Sequence, residues 1–244
     1  MHPTVCAETD FSRETWNFVD TNRFSPRYRS EEWRRLLSGG HPEAPILLYA
    51  GCLAKQDRVE WLRPMMDVLV YAHLVIVGEG PMQDKLEQAF AGTSTVFTGR
   101  LDGEGLARTY ASVDLFVTPS MSEAVGTYVL EAMASGLPVI APRAGAPLTH
   151  VIDGENGFMF ESNEPREMVA LARWLVSNPA HTRRLGASAR TYAETRSWEE
   201  LREGFLNNVS AALVGDRVYS DDWFGAELDF EAQTLEAHSL HLFA

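Results

Sequence analysis

The chain is short of cysteine, short of cations and without a long hydrophobic run, and each shortage excludes a class of protein. Cys6 and Cys52 are the only cysteines among 244 residues. Two thiols cannot build a disulfide framework, and such sparse use suits a reducing compartment. No apolar stretch approaches the ~20 residues needed to span a bilayer, and Met1–Asp10 carries no apolar core of a secretory leader. A cytoplasmic location, at most peripheral to a membrane, is the expectation. Lysine and arginine number 21 against 34 aspartates and glutamates, a net charge of −13. That balance argues against general affinity for nucleic-acid phosphates, so no nucleic-acid partner is expected. No Gly-x-Gly-x-x-Gly separates the first apolar run from the helix after it, which argues against a nicotinamide dehydrogenase.

What is present is an ordinary apolar content, 45% of residues, arranged in a regular alternation. Short apolar runs at Ile46–Ala50, Leu74–Val77, Thr95–Thr98, Leu115–Thr118 and Pro138–Ala141 read as strands. Between them, Val59–Tyr71, Pro81–Phe90, Gly103–Ala111 and Val125–Ser135 read as helices, with Pro64 kinking or starting the first of these. Such alternation predicts βαβ units and an α/β, Rossmann-like, doubly wound parallel sheet. Helical periodicity follows over Glu164–Ser177, Pro179–Glu194 and Trp198–Leu213. Three segments are expected: residues 1–44 as a linker with a short helix near Ser30–Leu37, residues 45–213 as the domain, and residues 214–244 as an acidic, aromatic tail.

Ligands of a doubly wound sheet bind beyond the carboxyl ends of its strands, where helix N-termini attract phosphate. The segment from Pro119 to Val139 lies at such a place. A strand ends at Thr118, a polar loop follows, and a helix begins near Val125. The amides of Val125, Gly126 and Thr127 are then free donors, and Gly126 lets an anion approach the backbone. Glu123 precedes this helix and Glu131 lies inside it, so both carboxylates can face one ligand. On spacing alone Glu123 can equally be a residue favouring the helix dipole and Glu131 a solvated surface residue. A sugar nucleotide would use both groups, since its phosphates seek amides and its hydroxyls seek acceptors.

Glu123 and Glu131, with Pro119-Ser120 before them and Ala132-Met-Ala-Ser-Gly-Leu-Pro-Val139 after, resemble the signature of family 4 glycosyltransferases. Val77-Gly-Glu-Gly-Pro81, Phe97-Thr-Gly99, Tyr110-Ala-Ser-Val-Asp114 and Asp153-Gly-Glu-Asn-Gly-Phe158 fit the same pattern. Within the family, Phe24-x-Pro-Arg-Tyr-Arg29 and Val96-Phe-Thr-Gly-Arg-Leu101 are similar to the sulfoquinovosyltransferases of plants and cyanobacteria. The resemblance implies one half of a GT-B fold and a hexosyltransferase that binds a UDP-sugar for retaining transfer to a lipid such as diacylglycerol. It implies that Glu131 accepts from the ribose hydroxyls and that Glu123, the catalytic candidate, accepts from the transferred sugar. It further places the β-phosphate on Val125, Gly126 and Thr127, lines the nucleotide pocket with Gly78 and Gly80, and sets Leu101 beside the base; Gly51 is expected to present a backbone donor to the diphosphate. No metal or other cofactor is expected, in keeping with the lack of an Asp-x-Asp pair.

The chain departs from the family after its first strand. Cys52 stands where the family has an Arg and Asp57 where it has a Lys, so the two cations that neutralise the diphosphate are replaced. Lys55 and Arg58 are the candidates to stand in. The chain also begins near the interdomain linker of such enzymes, so the acceptor half of the cleft, and with it any membrane-facing patch, is expected to lie outside it. His73 and His150 read as strand-start and loop residues. The alternatives are a non-catalytic nucleotide-sugar-binding module and, more distantly, a nucleotide-sugar epimerase.

Overall fold

The structure is a computed structural model and describes residues 18–122, 125–197 and 202. Glu123, the helix expected over Trp198–Leu213 and the acidic tail lie outside the described residues, apart from Arg202 in that helix. The chain divides into two units, Met1–Leu201 and Arg202–Ala244. The first is described below.

Its centre is a six-stranded parallel sheet in the order β3-β2-β1-β4-β5-β6. The strands are β1 (Ile46–Ala50), β2 (His73–Val77), β3 (Thr95–Gly99), β4 (Leu115–Val117), β5 (Val139–Pro142) and β6 (Gly157–Phe160). Successive residues of a strand point to opposite faces, and β1 shows the consequence. Ile46, Leu48 and Ala50 join one apolar cluster with Phe116, while Leu47 and Tyr49 join the other with Leu74 and Leu115. Both faces are therefore buried, as an all-parallel sheet requires. Helices α1 (Glu31–Leu37), α4 (Gly103–Ala111), α5 (Val125–Ala134) and α7 (Pro179–Glu194) cover the first face. Helices α2 (Arg63–Val68), α3 (Gln83–Ala89) and α6 (Pro165–Ser177) cover the second.

The five expected strands, and the expected helices that fall among the described residues, are found within a residue or two of their expected ends, apart from Val59–Tyr71, and one further strand, β6, is present. Val59–Leu62 is a 3-10 turn and α2 begins only at Arg63, with Pro64 in its first turn where no amide is needed. Strand β6 was not anticipated, because its four residues start on glycine inside a run of turn-forming residues. Local chemistry sets other ends. The Ser30 hydroxyl caps α1 by accepting from the Trp33 amide at 3.3 Å. Helix α5 stops at Gly136 (φ 77°), where the Leu137 and Gly136 amides return to the Ala132 and Met133 carbonyls at 3.0 and 2.9 Å.

Residues 18–44 pack on the domain. Phe24 and Leu37 are buried in the first cluster, and Arg34 is fastened by Asp114 through bonds of 3.0 Å to each carboxylate oxygen. Asp114 also accepts from Arg29 at 2.7 Å and from the Ile46 amide at 2.9 Å. One carboxylate thus holds α1, the Phe24–Arg29 segment and the start of β1. Asp114→Asn keeps the shape but loses the charge and one acceptor. Because the carboxylate is partly exposed, the expected cost is about 1–2 kcal/mol, read as a lower urea midpoint with an unchanged slope.

Candidate functional site

Strand order reverses direction between β1 and β4, and the crevice beyond their carboxyl ends is the position at which this architecture takes ligands. Four segments meet there: the turn after β1 with Gly51 and Asp57, the loop after β2 with Gly78 and Gly80, the Ser120–Ser122 loop, and the start of α5. A cavity of about 430 Å³ lined by Ile46, Leu115 and Pro138 lies at the opposite pole. It sits at the strand starts, lined by Glu43 and Asp114 and not by Asp57 or Glu131.

The loops after β1 and β2 are knitted by backbone bonds, Gly51 N–H to Val77 O at 3.0 Å, Leu53 N–H to Glu79 O at 3.1 Å and Met82 N–H to Leu53 O at 2.9 Å. This crossing leaves no room for side chains. A Cβ at Gly80 would lie 2.6 Å from the Leu53 carbonyl oxygen, and one at Gly78 would collide with the Gly51 carbonyl. Gly78 and Gly80 are thus demanded first by chain packing. At Gly126 a Cβ would meet only Ala146 and His150 at 3.6 Å, ordinary contact, so packing does not demand that glycine.

Asp57 ends the 3-10 turn Lys55–Asp57 and is only 4% exposed. Its Oδ1 accepts from the Ser120 hydroxyl at 2.7 Å, which ties the turn after β1 to the loop leading into α5. Its Oδ2 is buried without a hydrogen-bond partner. Burial pushes the Asp57 carboxyl above its usual range; the Ser120 hydroxyl, then the Ala54 amide and the Ser122 hydroxyl, act in the other direction. The Tyr49 hydroxyl donates to the Cys52 carbonyl at 2.9 Å. Burial, with the Asp57 charge adding to it, lifts the Tyr49 phenol well above its normal range.

Glu131 is partly buried in α5, and its Oε2 is wholly buried without a partner. Burial raises its carboxyl to about 7, against the pull of the Tyr110 hydroxyl and of the Arg23 charge. Glu131 is therefore not the solvated surface residue that its spacing also allowed. Tyr128 lies between the two acids. Its phenol is raised by burial, by Glu131 and by Asp57, and is lowered by Arg100.

A model of the family described as glycosyl transferases group 1 matches residues 44–178. The chain belongs to that family. Sulfoquinovosyl transferase SQD2 of Arabidopsis thaliana is 38% identical over 204 residues, covering 82% of this chain and 40% of the plant protein. The GDP-mannose-dependent alpha-mannosyltransferase of Corynebacterium glutamicum is 36% identical over 211 residues, covering 85% of this chain and 49% of that protein. The chain thus spans less than half the length of either relative. Sucrose-phosphate synthase from Thermosynechococcus elongatus shares the fold with a TM-score of 0.68 and 27% identity over 80% of this chain and 52% of that one. Anabaena HepE in complex with UDP has a TM-score of 0.68 at 20% identity, covering 80% of this chain and 56% of that one, a likeness of fold.

Measured against the family's pattern, the structure brings Gly51, Gly78, Asp57, the start of α5 and Glu131 around one crevice. Leu101 packs at the margin of the first apolar cluster, just past β3. Glu123 lies outside the described residues, and of Val125 only the helical backbone is described. Arg58 does not stand in for the replaced cations. Its guanidinium donates to the Ser162 carbonyl at 3.0 Å and lies 4.9 Å over the Trp61 ring. Lys55 is exposed. His150, read as a loop residue, is 2% exposed, and its Nδ1 lies 3.3 Å from the Tyr192 hydroxyl. Sequence reasoning passed over Tyr128, Arg23 and Arg100, which carry no motif of their own and become neighbours of the acids only through folding. Among the described residues no group of three His, Cys, Asp or Glu side chains could hold a metal, and no helix is long and apolar enough to cross a membrane.

Proposed function

We propose that this domain is the donor-binding half of a glycosyltransferase, holding a UDP-sugar for retaining transfer to a lipid acceptor such as diacylglycerol. The observation that carries the reading is the Glu131 Oε2, a buried acceptor with no donor of its own at the switch point of the sheet. A ribose hydroxyl supplies that donor. The diphosphate then meets the amides of Val125, Gly126 and Thr127, whose dipole stabilises charge developing on the leaving group. The base lies beside Leu101, and Glu123 accepts from the sugar. UDP-glucose and UDP-sulfoquinovose are the favoured donors, supported by the similarity to SQD2.

Calorimetric titration with UDP, UDP-glucose, UDP-sulfoquinovose and GDP-mannose tests this. Micromolar to millimolar binding of the uridine compounds is expected; preference for GDP-mannose would replace the uridine assignment, and binding of none would overturn the site. The replacements at Cys52 and Asp57 favour a second reading, a nucleotide-sugar-binding module without turnover. Release of free sugar from UDP-glucose by the purified chain would decide against it.

The two glutamates are expected to divide the ligand. Glu123→Gln should weaken UDP-sugar binding by about 1–3 kcal/mol, the scale of a hydrogen bond to a charged group, and leave UDP nearly unchanged. Equal losses for UDP and UDP-glucose would remove Glu123 from the sugar subsite.

A further inference from the structure

We infer that Asp57 meets the donor's diphosphate as a neutral carboxylic acid, its Oδ2 carrying a proton that it donates to a phosphate oxygen. The inference rests on the UDP-sugar reading above and assigns the phosphate-facing role to a residue opposite in charge to the family's lysine.

The geometry leaves few alternatives. Asp57 occupies the turn that follows β1, and the Ser120 hydroxyl already donates to its Oδ1 at 2.7 Å. Ser120 is joined in turn to Ser122 by a 3.2 Å contact between hydroxyls, in the segment that precedes α5 in the chain. One carboxylate oxygen is therefore spent on holding the Ser120–Ser122 segment. The other, Oδ2, is buried at the same place and makes no hydrogen bond of its own, with the Ala54 amide and the Ser122 hydroxyl as the further donors near the carboxylate. Among the described residues the titratable groups facing Asp57 are Tyr49 from β1 and Tyr128 from α5, both phenols that stay protonated. Glu131 and Arg100 act on the same Tyr128 ring. Arg58, next in sequence, is turned to Trp61 and Ser162. Among the described residues no cation is bonded to Asp57, so a carboxylate left ionised here would repel a diphosphate placed beside it. A proton taken from solvent removes the repulsion and turns an orphaned acceptor into a donor, with no bond broken and no other reactant needed. Burial already favours the protonated form, and an anion at the helix terminus favours it further.

The test uses the full chain and UDP-glucose, whose diphosphate diester does not titrate near neutrality. At pH 8, titrations in two buffers of different ionisation enthalpy should show about one proton taken up per UDP-glucose bound. The dissociation constant should rise about tenfold per pH unit between pH 7.5 and 8.5, the slope of a one-proton linkage. Glu131, raised to about 7, is mostly ionised in this window and adds little. Asp57→Asn keeps the Ser120 contact and should bind UDP-glucose more tightly at pH 8, with no proton uptake and a flat profile. Binding by the natural chain without proton uptake overturns the inference, as does binding that requires millimolar Mg²⁺, which would make a metal the counterion. No binding by either protein from pH 5.5 to 8.5 instead overturns the nucleotide site itself. The proton count on the natural chain stands even if the variant folds poorly.

Discussion

Glu131→Gln is expected to make the protein more resistant to heat at pH 8 and a worse binder of nucleotide. The two effects have one cause. In the folded chain the Glu131 carboxyl is raised from 4.5 to about 7, chiefly by burial, and its Oε2 has no donor. Between pH 4.5 and 7 the unfolded chain has released this proton and the folded chain has not, so stability falls as pH rises across that window and levels off above it. The shift corresponds to at most about 3 kcal/mol. A neutral glutamine does not titrate, so the variant should lose less stability across this window than the natural chain, the remaining decline coming from groups such as the raised Asp57 carboxyl. At pH 8 the variant should melt roughly 3–10 °C higher, on the scale of 2–4 °C per kcal/mol for a chain of this size. Nucleotide affinity should move the other way, by about 10–100-fold, because a ribose hydroxyl loses a charged acceptor. Thermal melts at pH 5 and 8 with UDP titrations at pH 8 check both. Loss of stability and affinity together at pH 8 would make Glu131 a structural residue and remove the main support for the nucleotide site.

That unpaired carboxylate was only half legible in the sequence. Its position was readable, because Glu131 stands at a fixed distance from Glu123 inside an apolar helix that ends on Ser-Gly-Leu-Pro. Its condition was not, since the groups that act on the buried carboxyl, the Tyr110 hydroxyl on α4 and the Arg23 charge, are both distant in the chain. The strands were legible for a related reason: a sheet covered on both faces needs continuous apolar runs, and Ile46–Ala50 and Leu74–Val77 are such runs. Strand β6 escaped because it is paired on one side only, to β5, and begins on a glycine. At Asp57 the sequence announced a reversed charge, but not that Ser120, 63 positions away, would hold it. Arg58 shows the limit from the other side. A cation near the right spacing was a fair candidate, yet it spends its guanidinium on an indole ring and a carbonyl beyond β6.

Gly78→Ala should cost about 3–5 kcal/mol, far more than alanine at another left-handed glycine of the same chain. Gly78 has φ 135°, a conformation that costs a residue with a Cβ about 1–2 kcal/mol. To that is added a collision. The new methyl would overlap the Gly51 carbonyl oxygen and lie 3.0 Å from its carbon. Neither strand can withdraw cheaply, because the Gly51 amide is bonded to Val77 O at 3.0 Å and the Gly78 amide to Gly99 O at 2.9 Å. Overpacking against fixed backbone adds about 1–3 kcal/mol. Gly92 provides the control: its φ is 79°, and a Cβ there meets nothing within 4 Å. Gly92→Ala should therefore cost only about 1 kcal/mol, the conformational part alone. Denaturant unfolding of the two variants separates conformation from contact, and equal losses would show that the crossing of the β1 and β2 loops yields without penalty. Binding should separate them too. Gly51 forms one wall of the crevice facing Asp57 and α5, so displacing it at Gly78 should weaken UDP binding under conditions where the variant is still folded. Gly92, remote from the crevice, should leave UDP binding unchanged.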